Sequence, residues 1–160
     1  MQATKDTFLK TLAARLATVN PARTVTLDGV TRPAVVAVEN ETPVPAETVL
    51  EAFLLSWQGA EYVTAETGLM FLDCKVSYAS KGTDAMMRAD RGRTVTAMAA
   101  ELRQIVHSRF AAKCDYTQTP PAALGTNIFW TLPAMAPESD KDGVLEQTAT
   151  IRVFFFPEVG

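Results

Sequence analysis

The residue types that most often carry out catalysis or bind metals are scarce in this chain. It has one histidine, His107, and two cysteines, Cys74 and Cys114. The cysteines lack the spacing of a metal-binding motif and are too few for a disulfide framework. No motif supplies His107 with a serine, cysteine or carboxylate partner for nucleophilic catalysis. We therefore predict no catalytic residue, no metal site and no cofactor, and we expect His107 to compensate a helix dipole or pack at a helix edge.

The segment Arg91-Gly92-Arg93 is a candidate anion site because it stands at the predicted start of a helix. A helix N-terminus attracts anions, and two arginines would add positive charge for a phosphate group. Asp90 already places a negative charge there, and neither GxGxxG nor GxxxxGK[ST] occurs in the chain. We therefore favour an ion pair between these arginines and a neighbouring acidic segment.

Charge is distributed unevenly along the sequence, whose formal net charge is −3. Between Lys75 and Lys113 there are eight basic and only three acidic residues, so the remainder of the chain is strongly negative. A chain with one basic segment and an acidic remainder can bind copies of itself or a nucleic acid.

Five aromatic residues stand in two short runs in the last third of the chain. They lack the interleaved basic residues and the RNP-like pattern of a base-stacking surface. We therefore predict that they pack in the core or at an interface. The residues are Phe129, Trp130, Phe154, Phe155 and Phe156.

Length and composition indicate one globular domain over residues 1–160, since 48% of the residues are hydrophobic. No apolar run approaches the roughly 20 residues of a membrane-spanning helix. The N-terminal sequence lacks the order of a secretory signal. We therefore expect synthesis in a reducing cytoplasm and no membrane partner.

A long helix is predicted from Asp90 to Phe110, with Asp90 capping its start. Its apolar residues recur at helical spacing and form one stripe: Val95, Met98, Ala99, Leu102, Ile105 and Val106. A second helix is predicted over Thr4–Val19. A helix with a one-sided stripe needs a sheet or another helix to cover it.

The remaining segments predict a mostly antiparallel sheet, so the expected fold class is α+β, with the long helix and the N-terminal helix packed on the sheet. The secondary structure of residues 45–58 is ambiguous, because their apolar residues fit both a helix and a strand, and we favour a strand that begins at about Ala52. Asp28-Gly29 predicts a hairpin between the first two strands. The predicted strands are Thr24–Leu27, Pro33–Val38, Ala52–Val63, Leu69–Ser80, Thr126–Leu132 and Val144–Pro157. Irregular loops are predicted over Glu39–Glu51, Ser80–Ala89, Cys114–Gly125 and Pro133–Gly143.

Short phrases along nearly the whole chain carry a resemblance to a known family. They are FLKTLAARL, PAVVAV, LMFLDCKVSYAS followed by GTD, DRGRTVTAMAAELRQI, GTNIFW and EQTATIRVFFFPE. In this order they resemble the tail terminator family of long-tailed bacteriophages, which has relatives among head–tail completion and neck proteins. The resemblance lies in the order of the helices and strands and in these short phrases, and none of them is a catalytic signature.

The resemblance implies a homohexameric ring at the head-proximal end of a tail tube, which ends tube polymerisation and joins the head. The implied partners are copies of the chain, the tail tube protein and the head–tail connector, with DNA passing through the ring lumen. The implied location is the virion, after assembly in the host cytoplasm. Charged residues are then candidates for subunit contacts or for the lumen: Arg88, Arg91, Arg93, Arg103, Glu39, Glu41, Glu47, Glu138 and Asp140.

Three alternatives stay open at the level of sequence. The chain could occupy another neck or head-completion position. It could be a small-ligand-binding domain with a pocket under Pro133–Gly143. It could also bind nucleic acid through its arginines, which predicts an affinity that falls steeply with salt.

Overall fold

The computed structural model describes residues 1–41 and 49–158. The helices are α1 (Gln2–Val19), the short α2 (Val38–Glu41) and α3 (Arg91–Ile105), with one 3-10 turn at Asp84–Met86. The strands are β1 (Thr24–Leu27), β2 (Val30–Pro33), β3 (Val35–Ala37), β4 (Phe53–Tyr62), β5 (Met70–Ser80), β6 (Phe110–Asp115), β7 (Ala122–Trp130), β8 (Ala134–Met135), β9 (Ser139–Lys141) and β10 (Val144–Phe155).

The main sheet has the order β3-β4-β5-β10-β7-β6, and its pairs are antiparallel except for β3 with β4. The predicted α+β class, with a mostly antiparallel sheet, is confirmed. The central pair is the long one between β5 and β10, which stays in register from Met70 opposite Phe155 to Ser80 opposite Leu145.

Both long helices pack on the same face of the sheet. On α1 the ring of Phe8 contacts Trp57 and Trp130 edge-on, with ring centroids 5.6 and 5.1 Å apart. On α3 every residue of the predicted stripe is buried. Burial of a large aliphatic or aromatic side chain contributes about 1.5–3 kcal/mol, so this layer is a main source of stability.

The predicted ends of α3 are wrong in two respects. Asp90 occupies the N-cap position, but its carboxylate makes no capping bond and instead accepts hydrogen bonds from Thr83. The helix ends at Ile105, and Phe110 begins β6. Arg15 from α1 binds the freed carbonyl oxygens of Ile105 and Ser108, at 2.8 and 2.6 Å, and so satisfies the helix end.

The hairpin at Asp28-Gly29 is confirmed, since both residues have left-handed φ values of 51 and 77°. Its second strand is β2, however, and not Pro33–Val38 as predicted. Pro33 has no backbone N–H and ends the hairpin. The following β3 leaves it and pairs in parallel with β4, and all three of its apolar residues are buried.

The preferred strand Ala52–Val63 is confirmed as β4, which takes up residues 53–58 of the ambiguous segment, while residues 45–48 of that segment lie outside the described residues. Burial alternates along β5, since Leu72, Cys74, Val76 and Tyr78 are buried while Lys75 between them is exposed. The predicted loop Glu39–Glu51 begins within α2 instead, and its residues 42–48 lie outside the described residues.

Two further segments predicted as loops contain strands. The segment 114–125 includes the end of β6 and the start of β7, which pair as a hairpin. The segment 133–143 folds back onto β10 through β8 and β9. Pro133 and Pro137 lack a backbone N–H, so they interrupt what is otherwise one extended path along β10. Within the described residues, every helix is too short or too polar to span a bilayer.

Candidate assembly interface

A row of four phenylalanines crosses the sheet on the face opposite the long helices. Direct cross-strand pairing joins Phe71 to Phe154, Phe154 to Phe129, and Phe129 to Phe110. Residues paired in this way point to the same face of a sheet. We call these four residues the aromatic row.

The aromatic row is ordered but incompletely covered. The rings of Phe129 and Phe154 stack, with centroids 5.3 Å apart and planes 12° apart, and Phe71 lies 6.3 Å from Phe154. Phe110 remains 63% exposed and Phe129 39% exposed. A contiguous exposed aromatic surface is typical of a site that binds a protein partner.

An ion pair holds one end of the aromatic row. Arg152 donates two hydrogen bonds to the Asp73 carboxylate, at 2.8 and 2.9 Å, and its guanidinium lies 3.9 Å from the Phe71 ring centre. The Arg152 hydrogen bond lowers the pKa of Asp73, so the carboxylate stays charged at neutral pH. The pair fixes the guanidinium over the ring, in the geometry of a cation–π contact.

A second exposed apolar feature lies in the loop between β5 and α3, residues 81–90, which we call the methionine loop. Met87 is 85% exposed and Met86 is 50% exposed. Met87 and Arg88 both have left-handed backbone conformations, with φ of 50 and 64°. Non-glycine residues adopt this conformation only where their surroundings impose it.

The methionine loop is held in place from within. The Asp90 carboxylate accepts hydrogen bonds from the backbone N–H and the hydroxyl of Thr83, at 2.9 and 3.0 Å. The backbone bond from Thr83 lowers the pKa of Asp90. Gly82 has a φ of 70°, and a Cβ there would come within 2.6 Å of Asp90 Oδ1. Glycine is therefore the residue that this turn requires.

The structure places the predicted basic residues in different environments. Arg91 forms an ion pair with Asp140 at 2.5 Å and also binds the Gly143 carbonyl oxygen at 2.7 Å. For Arg91 this contact is the expected ion pair with an acidic segment, and it lies within one chain, while the same expectation for Arg93 stays a prediction. Arg88 lies 3.4 Å from Asp84, while Arg93 and Arg103 are exposed on α3.

The predicted acidic residues are also dispersed. Glu39 pairs with Lys5 of α1 at 3.2 Å, and Glu138 is exposed. Glu41 lies at the end of α2, and Glu47 lies outside the described residues. In the part of the chain that the structure describes, the predicted charged residues form no single site, and the contact between Arg91 and Asp140 joins two of them.

The histidine and the cysteines lie apart from both surfaces. His107 is exposed just beyond the end of α3. Cys74 is buried under the helices, and burial raises the pKa of its thiol, so it behaves as a small hydrophobe. Cys114 was expected in a loop but lies in β6, partly buried. Within residues 1–41 and 49–158, no group of three or more His, Cys, Asp or Glu side chains is placed to hold a metal ion.

A buried lysine in the edge strand β6 was not singled out in the sequence analysis. Lys113 is only 2% exposed, and its ammonium binds the Phe156 carbonyl oxygen at 2.5 Å and Glu158 at 3.0 Å. Glu158 also accepts a short hydrogen bond from the amino group of Met1. These contacts tie the start of α1 to the segment after β10. Their role is structural, because both acceptors of the buried ammonium belong to the same chain.

A cavity of about 520 Å³ lies beside the β9–β10 hairpin, in the region where a pocket was predicted under residues 133–143. Ser139, Lys141 and Asp142 in its wall are exposed, and Glu146 is partly buried. The cavity therefore resembles an open surface cleft more than an enclosed ligand site, which typically buries most of its ligand.

Two aspects of this surface were not predicted. Phe71 and Phe110 belong to the aromatic row, but Phe110 was assigned to a helix and Phe71 was not singled out. Their proximity depends on strand order and register, for which the sequence carries only weak signals. No protein-family model matches the chain, and a search of curated proteins finds no match.

Proposed function

We propose that the chain is a structural, non-catalytic subunit that assembles with its own copies into a ring at the head-proximal end of a phage tail tube. In that position it ends tube polymerisation and provides the surface to which the head connector binds. The tube protein and the connector are its proposed partners, and DNA passes through the ring lumen.

The observation that carries the self-assembly part of the proposal is the aromatic row. A fold whose helices cover one face of the sheet leaves the other face for a partner, and the row supplies aromatic anchors there. The Arg152 guanidinium beside it is the kind of cation that protein interfaces favour. The phage-tail part of the proposal depends on the ordered phrases that resemble tail terminators.

Polymerisation of the tail tube protein from the same genome tests the proposed role. Tube protein is polymerised with increasing amounts of this chain, and tube lengths are measured by negative-stain microscopy. The expected result is shorter tubes that carry an extra ring of density at one end only. Bovine serum albumin at the same concentration serves as a control for nonspecific crowding.

Tubes of unchanged length, with both ends bare, would contradict the proposal. Binding to the connector without any effect on the tube would move the chain to another neck position. If neither component is bound, the cleft beside the β9–β10 hairpin becomes the next feature to test, by a screen of small ligands.

A further inference from the structure

We propose that the methionine loop of one subunit binds the aromatic row of the next copy of this chain. This inference rests on the proposed function, because it identifies the two surfaces that would join neighbouring subunits in a ring. The residues that bind the aromatic row are Met86 and Met87, at the tip of the methionine loop of a second copy.

The first argument is the match between the two exposed surfaces. Methionine side chains are flexible and polarizable, and their sulfur atoms make favourable contacts with aromatic rings. The tip carries two of them in succession, largely exposed, on a backbone fixed by internal hydrogen bonds. Because the loop is already ordered, little conformational entropy is lost when it binds.

The second argument is the position of the two features within the fold. The aromatic row crosses β5 at Phe71, near the start of this strand, whereas the methionine loop follows its end at Ser80. At roughly 3.3 Å per residue, these points are about 30 Å apart. One subunit therefore cannot bring its own loop to its own row. A contact that joins two different surfaces of identical chains is heterologous, and its repetition by rotation closes a ring.

The third argument is charge. The segment Lys81–Arg93 carries four basic and two acidic residues. At the other surface, Glu61 pairs directly with Phe71 across the β4–β5 ladder. The segment Glu61–Leu69, which leads back into β5, carries two acidic residues and no basic residue. By itself the methionine loop carries as many acidic as basic residues, so the net positive charge of the segment comes from Arg91 and Arg93 at the start of α3. Arg91 is paired with Asp140, which leaves the exposed Arg93, just after the loop, to face the acidic end of the row. This charge favours contact between the two unlike surfaces over contact between two copies of the same surface.

Two double variants test the inference, because each removes one of the surfaces and leaves the core intact. The loop variant combines Met86→Ser with Met87→Ser, and the row variant combines Phe110→Ser with Phe129→Ser. All four side chains are exposed, so circular dichroism should show that both variants keep the fold. The control combines Val19→Ser with Val30→Ser, two exposed apolar residues outside both surfaces.

Solution mass is measured by light scattering at a concentration at which the wild-type chain is assembled. We expect each variant alone to be monomeric and the control to assemble like the wild type. An equimolar mixture of the two variants should give a dimer, because the intact loop of the row variant can bind the intact row of the loop variant. The dimer cannot grow, since both of its free surfaces are defective.

The alternatives give different results. A loop variant that still assembles would overturn the inference while leaving self-assembly in place. Two monomeric variants whose mixture stays monomeric would also overturn it, because an intact loop and an intact row would then be present together without binding. If the wild-type chain is monomeric alone but still caps the tube, the inference fails and the proposed function stands. A wild-type chain that neither assembles nor caps the tube contradicts both.

Discussion

Glu158 is the residue at which the ends of the described chain meet, since its carboxylate binds both Lys113 and the amino group of Met1. Burial alone would raise the pKa of Glu158, but the hydrogen bonds from these two cationic groups outweigh burial and lower it to about 2. The ordinary value is 4.5. A carboxyl group whose pKa is lower in the folded state stabilises the fold above its unfolded pKa.

This shift predicts a pH dependence for Glu158→Gln. The stabilisation from Glu158 should be fully present at neutral pH and should disappear as the pH falls from 4.5 to about 2. Urea unfolding of the wild type and the variant should therefore differ most near pH 7 and converge at low pH. Glu66→Gln, at an exposed position, is the control. A difference in unfolding free energy that is the same at pH 3 and pH 7 would contradict this account.

At the residue scale, the sequence predicts burial better than it predicts partners. The apolar stripe of α3 and the alternation in β5 are regular, so the buried residues follow from the period alone. The partners of Asp90 and Lys113 do not follow in this way, because they come from loop geometry and from segments distant in sequence. Asp90 illustrates the point, since its position before a helix suggested a cap and its carboxylate instead holds the methionine loop.

The helices and strands show the same contrast between regular patterns, which are predictable, and contacts with distant segments, which are not. The two long helices and the strands β5 and β10 have regular periodic patterns and were predicted in the right places, although α3 ends at Ile105 and not at Phe110. The strand β4 was also predicted, from a pattern that fitted a helix as well. The strand β6 was missed because the sequence FAAKCD is rich in small residues and has little intrinsic preference for a strand. The strands β8 and β9 were missed because the prolines beside them indicate loops. Both short strands nevertheless pair with β10, which provides their backbone hydrogen-bond partners.

The methionine loop gives a prediction at this scale, because Gly82 has left-handed geometry in a crowded position. Gly82→Ala should destabilise the protein and weaken assembly, since its Cβ would meet Asp90 and the Arg88 backbone, at 2.6 and 2.9 Å. Gly29→Ala is a matched control with a φ of 77° and open space around it. An alanine in this conformation costs roughly 1–2 kcal/mol.

Urea unfolding and light scattering of both alanine variants separate the two contributions. Gly29→Ala should lose only the stability that an alanine in the left-handed conformation costs, and it should assemble normally. Gly82→Ala should lose more stability and also assemble less, because the tip of the loop is displaced. Equal losses of stability for the two variants, with assembly unchanged in both, would show that the contacts around Gly82 are unimportant.

The whole molecule is organised around a sheet with unlike faces. One face is covered by both long helices, and the other presents the aromatic row. The sequence predicted the α+β class and the basic segment, but it did not predict which charges are used within one chain. The contact between Arg91 and Asp140 shows why, since complementary charges that are distant in sequence meet first inside the subunit. Exposed charges that remain, such as Arg93, are available for contacts between copies.

Self-assembly is the central claim, and solution mass tests it most directly. Light scattering at several concentrations and two salt levels should reveal a closed oligomer of about six chains, each of 17.3 kDa, that does not grow further at higher concentration. Higher salt should shift the distribution to smaller species, because it screens the contact between the net positive segment Lys81–Arg93 and the acidic end of the row. A mass of one chain at every concentration and both salt levels, unchanged by added tail tube, would contradict the account.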